Sequence, residues 1–264
     1  MVFYFSATGN SLYVAKQLDA NAVSIPQIIH KDQLHFRDDA IGIVYPVYGS
    51  EPPQMVQEFL KKATFETDYF YALPTYGCNS GASPAILQKI AAEDGIRLDY
   101  VRTVLMVDNY LPAFDMEQEK QLDKKIPEQL ARIRQDIQNR THFIEAVTTE
   151  NQQVYDGYQA FTKEHPELAW KNIQFSTTEA CIGCGLCANV CPAGKIRMED
   201  GRPVRTEAKC QVCMACIHAC PAKAIQMSVP EANAMARYRN PCVSAKEIVS
   251  ANKQMLEQRT AMNH

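Results

Sequence analysis

Long apolar runs, glycine-rich nucleotide fingerprints and tryptophan are what this 264-residue sequence has least of. No run of about 18 apolar residues occurs, so no segment reads as a membrane span. The opening Met1-Val2-Phe3-Tyr4-Phe5 lacks the positively charged start of a secretory signal, and a cytoplasmic location is expected. No G-x-G-x-x-G occurs; the one G-x-G, Gly183-Cys184-Gly185, lies between cysteines, so nothing reads as a Rossmann-type dinucleotide site. No general base, nucleophile pair or metal-hydrolase motif stands out. Basic residues are scattered, without a stripe or an aromatic platform, which speaks against nucleic acid. Net charge is −3, but it is uneven: residues 173–264 hold 11 basic and 7 acidic side chains, and residues 1–114 hold 8 and 12. The single tryptophan, Trp170, lies far along the chain from every loop singled out below.

Cysteine is what the sequence has in abundance, and eight of the ten fall in two copies of C-x-x-C-x-x-C-x-x-x-C-P. The first copy is Cys181, Cys184, Cys187, Cys191 and Pro192; the second, 29 residues on, is Cys210, Cys213, Cys216, Cys220 and Pro221. Ala193, Ile196 and Met198 recur as Ala222, Ile225 and Met227, so the unit is duplicated. Three thiolates so close together force a tight loop with inward sulfurs, which suits the corners of a cubane cluster. Disulfides are disfavoured in a reducing compartment, and zinc ribbons use paired C-x-x-C knuckles rather than this run.

The stretch resembles a two-[4Fe-4S] bacterial ferredoxin domain. That resemblance implies crossed ligation, the fourth cysteine of each run binding the other cluster. One cluster would then take Cys181, Cys184, Cys187 and Cys220, and the other Cys210, Cys213, Cys216 and Cys191. The negative charge of such clusters accounts for part of the basic excess around them.

Toward the amino terminus, Val2 to Phe5 reads as a strand, Ser6-Ala7-Thr8-Gly9-Asn10-Ser11 as a polar loop, and Leu12, Ala15 and Leu18 as a helix face. Backbone N–H groups and hydroxyls at such a helix start suit a phosphate. Further strands are expected at 22–25, 40–45, 69–73 and 98–107, with helices between them, Ser83-Pro84 supplying an N-cap and first position. This alternation predicts an α/β fold with a doubly wound parallel sheet of five strands in the order 2-1-3-4-5.

The loop Ser6 to Ser11 resembles the FMN phosphate loop of flavodoxins, and the chain as a whole resembles the fused flavodoxin/ferredoxin proteins of anaerobic bacteria. The resemblance implies FMN held by Ser6, Thr8, Gly9, Asn10 and Ser11. Flanking loops would supply Pro46, Val47, Tyr48 and Gly49; Thr75, Tyr76, Gly77 and Gly81; and Asn109 and Tyr110. Many flavodoxins stack a tryptophan on the flavin; here Tyr48, Tyr76 or Tyr110 is expected to take that place.

Domains are thus expected at 1–114 (flavodoxin-like), 115–172 (a helical connector, either packed on the sheet or docking the next domain), 173–230 (a small α+β ferredoxin) and 231–264 (a helical tail). Asp115 reads as a helix cap, Pro127 as a kink or a helix start, and Ser244 with Glu247 as a capping box. Cys78 and Cys242 read as small buried hydrophobes, Cys78 being the more suspect, and His218 as solvent-facing. The acidic and basic parts are expected to attract. Functionally this is an electron carrier or adapter between redox partner proteins, with two rivals: an FMN-dependent reductase of a quinone, flavin or nitro compound, and a ferredoxin with an empty flavodoxin-like docking module. Anaerobic assays should find about eight iron and about eight acid-labile sulfide per chain, each cubane holding four of each; half that content, or stoichiometric zinc, would contradict two cubanes.

Overall fold

The computed structural model describes residues 1–252. It is a mixed α/β structure with a large parallel sheet and a smaller carboxy-terminal part built round the cysteine runs. The sheet elements are, in chain order, β1 (Val2–Tyr4), α1 (Asn10–Leu18), β2 (Val23–Ser24), β3 (Ile41–Pro46), α2 (Gln54–Lys62), β4 (Phe70–Tyr76), α3 (Ser83–Glu93), β5 (Tyr100–Val101), β6 (Val104–Leu105), α4 (Ile126–Gln138), β7 (Phe143–Ile144) and α5 (Thr149–Glu164). The sheet has seven strands in the order β2-β1-β3-β4-β5-β7, with β6 also on β4, and every pairing is parallel.

Period-two alternation sorts the strand residues onto two apolar faces, as a sheet covered on both sides requires. Val2, Tyr4, Val44, Tyr71 and Leu73 pack with Leu12, Val14 and Ala15 of α1 and with Leu130 and Ile133 of α4. Phe3, Phe5, Ile43, Tyr45 and Ala72 pack with Val56, Phe59 and Leu60 of α2 and Leu87 of α3. Burying one such side chain, Phe59 for instance, contributes about 1.5–3 kcal/mol.

Three expectations change. The fifth strand breaks into β5 and β6, because Thr103 between them turns its N–H and hydroxyl to Glu145. The stretch 115–172 takes its sheet-packed alternative through α4, but its β7 adds a strand that was not expected, so that five strands become seven, and its α5 buries no residue. Asp115 does cap, accepting from Glu117 N–H, and Pro127 lies in the first turn of α4. Ser83 is not a cap, since α3 begins at Ser83 itself and no side chain caps it.

The cysteine-bearing part and the returning chain contain β8 (Phe175–Thr177), α6 (Leu186–Asn189), β9 (Ile196–Glu199), β10 (Arg202–Arg205), α7 (Ala215–Ala219), β11 (Ile225–Met227) and α8 (Ala245–Asn252). Antiparallel β8–β11 and β9–β10 pairs flank the two short helices, and Ile196, Ile217 and Ile225 fill a core of their own. The expected capping box is present, with Ser244 and Glu247 bonded reciprocally at the start of α8. Ile248 and Ala251 return α8 to the α1 face of the sheet; the rest of the expected tail, 253–264, lies outside the described residues. Among the described residues no helix is long and apolar enough to cross a membrane.

Gly42 tests the sheet. It lies opposite Tyr71 across β3 and β4, and a Cβ there would sit 2.2 Å from the Tyr71 ring. Gly42→Ala should cost about 1–3 kcal/mol by overpacking, read as a lower urea midpoint with an unchanged slope.

Candidate functional site

The carboxyl ends of β1, β3 and β4 open into a cavity of about 280 Å³. Its walls come from four loops of the sheet, from Val154, Tyr155 and Tyr158 of α5, from Trp170, and from Val212, Cys213 and Met214 of the second cysteine run. Every residue expected to contact a flavin lines this cavity except Gly9. Gly9 has φ 102° at the start of α1, and a Cβ on it would meet Asn240 and Val243 at 3.1 Å, on the side where the chain returns.

Two carbonyls of the polar loop are engaged by the returning chain. Asn240 N–H bonds Thr8 O at 2.9 Å and Asn252 Nδ2 bonds Ser6 O at 2.9 Å. No side chain caps α1. Ser6 Oγ accepts from Gly9 N–H, and Thr8 Oγ1 accepts from Asn109 Nδ2, so each hydroxyl keeps its own hydrogen to donate. Among the described residues the lining contains no lysine or arginine. An anion of phosphate type here would therefore meet neutral donors and a helix dipole. The Asn10 amide is tied into the cavity wall: Nδ2 donates to Val107 O, and Oδ1 accepts from Tyr238 Oη and Asn240 Nδ2.

Among the described residues Asp108 is the one Asp or Glu in the lining; burial pushes its carboxyl up, although Tyr110 N–H donates to it at 3.0 Å. Tyr48 stands with its ring 5.5 Å from Trp170, which corrects the placing of that tryptophan far from the loops. Burial, then the neighbouring Cys213 and Cys210, hold the Tyr48 hydroxyl far above its ordinary range. The only sequence sign of this role for Trp170 is its position just ahead of the first cysteine run.

Cys181, Cys184, Cys187 and Cys220 line one small cavity with Met198 and Ile225. Around Cys213 the neighbouring thiols are Cys191, Cys210 and Cys216. Each crossed set is thus brought together in space. Burial pushes Cys216 up to about 12 and Cys213 well above its ordinary value. Bare thiols there stay protonated, and iron binding must displace those protons. Lys195 N–H points at Cys191 Sγ, Val212 N–H at Cys210 Sγ and Ala224 N–H at Cys220 Sγ, at 3.2 to 3.4 Å, and such bonds tune cluster potential.

The duplication extends to the backbone. Gly183, Gly185 and Gly194 have positive φ, and so do Val212, Met214 and Lys223, each 29 residues on. Left-handed geometry at Val212 costs on the order of 1–3 kcal/mol, and the loop round the sulfurs holds it there.

The two copies face differently. Ile182 is 68% exposed, and Cys184 is exposed too. Their counterparts Gln211 and Cys213 turn inward: Gln211 Oε1 accepts from Met55 N–H in the first turn of α2, and Cys213 lines the large cavity. His218 is buried rather than solvent-facing; Tyr238 N–H donates to its Nδ1, so Nε2 carries the proton and donates to Asn109 O at 2.9 Å. Burial pushes this imidazole down to about 4, so it is neutral. Charge plays little part in the join: among the described residues only Lys16–Glu247 pairs the sheet with the cluster part and its tail. Cys78 and Cys242 are both exposed, not buried.

Residues 174–236 match the family model of the 4Fe-4S dicluster domain. The carboxy-terminal part of the chain is therefore a ferredoxin-like iron-sulfur domain with an electron-transfer role. A search of curated proteins returned no match.

Trp170, being unique, reports on the cavity wall. A Cβ at Gly49, where φ is 57°, would lie 2.2 Å from Trp170 Nε1. Gly49→Ala should displace the indole toward water, with a red-shifted emission and greater acrylamide quenching at unchanged iron content.

Proposed function

We propose that this chain is an electron-transfer flavo-iron-sulfur protein of flavodoxin-like/ferredoxin type, with FMN in the large cavity and two crossed [4Fe-4S] clusters. The observation that carries the proposal is that Cys213, of the second cysteine set, lines the same cavity as the phosphate-type loop Ser6–Ser11. The sheet order, with the cavity at the strand carboxyl ends beside β1 and β3, supports the flavodoxin-like reading.

When bound, FMN supplies storage of one or two electrons. The chain's own residues do the rest. The α1 start, Ser6 and Thr8 hold the phosphate; Tyr48, Tyr110 and Trp170 offer aromatic faces to the ring. Cys210, Cys213, Cys216 and Cys191 hold the inner cluster, and Cys181, Cys184, Cys187 and Cys220 the outer one. Exposed Cys184 and Ile182 make the outer set the port for a protein partner, and the inner set the link to the cavity.

The test is rapid one-electron reduction of the clusters in anaerobic holoprotein, followed by flavin absorbance at several protein concentrations. A flavin reduction rate independent of concentration is expected; a rate proportional to concentration would mean electrons cross between molecules. Extraction should yield FMN, and a protein purified without flavin that binds none on titration would favour the empty docking module.

A further inference from the structure

Asn252, at the end of α8, is fully buried, and its amide reaches two carbonyls that belong to different parts of the chain. Nδ2 donates to Ser6 O at 2.9 Å and to Val190 O at 3.1 Å. Ser6 begins the loop at the start of α1. Val190 shares its peptide plane with Cys191, the cysteine that the crossed arrangement gives to the inner cluster. One side chain thus fixes the loop on one cofactor site and the backbone of a ligand on the other.

The placement is built rather than incidental. Ser24 Oγ donates to Ala251 O and Gln27 Nε2 to Ser250 O. Those bonds pin the last described turn of α8 to Ser24 of β2 and to Gln27 beyond it. Upstream, Tyr238 and Asn240 grip Asn10, and Asn240 N–H takes Thr8 O. The returning chain therefore holds two carbonyls of the loop, Ser6 O and Thr8 O, and with them the course of the loop along the cavity.

We infer that Asn252 is a positioning residue that couples the two cofactor sites, setting the phosphate loop against the inner cluster through one amide. For the flavin this rests on the function proposed above; for the cluster it rests on the dicluster domain and on the crossed ligation proposed with it. Removing the amide leaves two buried carbonyls unpaired. The loop then loses its fixed orientation, and the peptide before Cys191 is free to tilt, which alters the inner cluster and not the outer one.

The experiment compares wild type, Asn252→Leu, Asn252→Asp and Glu247→Gln as full-length, cluster-loaded protein. The first two remove the double donor at nearly constant size, and Asp serves where Leu fails to fold. Glu247→Gln breaks the Lys16 contact of the same helix without touching either carbonyl. FMN affinity is read by fluorescence titration, and each cluster by the electron paramagnetic resonance spectrum of the reduced protein. The expected result is FMN binding weaker on the order of tenfold, with a changed inner-cluster signal, an unchanged outer-cluster signal and full iron in the Asn252 variants, and none of these changes in Glu247→Gln. Wild-type affinity with unaltered spectra, equal change in both clusters, or the same effect in Glu247→Gln would overturn the role. Failure of wild type to bind FMN would instead refute the flavin reading, and the inner-cluster spectrum alone would then decide the role of Asn252.

Discussion

The hydrogen bond from His218 Nε2 to the carbonyl of Asn109 is the constraint on which the arrangement turns. It joins the helix between Cys216 and Cys220 to a loop of the sheet cavity. Because Tyr238 N–H fills Nδ1, the ring can carry only one proton, and burial keeps it that way. A cationic imidazole would place an N–H against the N–H of Tyr238. The join between the two parts is accordingly made of neutral groups, Gln211 to Met55 and Asn252 to Ser6 being others, and it is insensitive to salt in a way that charge attraction would not be.

From that join follows the unequal use of a duplicated sequence. The second cysteine run is wedged against the strand carboxyl ends, while the first looks outward with Ile182 and Cys184 bare. Doubly wound sheets gather their loops at the carboxyl edge, so a domain seated there meets whatever that edge binds. The middle of the chain closes the remaining side: α5 buries nothing of its own, yet Asn151 bonds Asn79 and Ser80, and Tyr158 bonds Trp170 N–H, so its tyrosines and the indole become a wall.

Some of this was legible in the sequence and some was not, for physical reasons. Metal ligation imposes local spacing, so the cysteine runs announced an iron-sulfur domain that the family match bears out. The strand at 40–45 was legible because a doubly covered parallel strand is apolar throughout. The strand β7 escaped notice, since two residues held by backbone pairing leave no periodic pattern. Trp170, His218 and Asn252 owe their roles to neighbours as far as 246 residues away in sequence, and no local signal carries that information. The strained backbone at Val212 was within reach, because the 29-residue offset aligns it with Gly183.

That alignment carries a last consequence. Where the first copy has two glycines with no side chain to keep water away, the second has Val212 and Met214, both buried and both forced into a backbone shape that glycine would accept freely. The strain holds hydrocarbon beside the inner sulfurs. Adding an electron adds negative charge, and that costs more in a poorly polarisable surrounding than beside water. Two ligand sets identical in chemistry are thus insulated to different degrees. Duplication followed by this one-sided packing gives a symmetric pair of cysteine runs unequal surroundings, buried hydrocarbon beside one and open solvent beside the other.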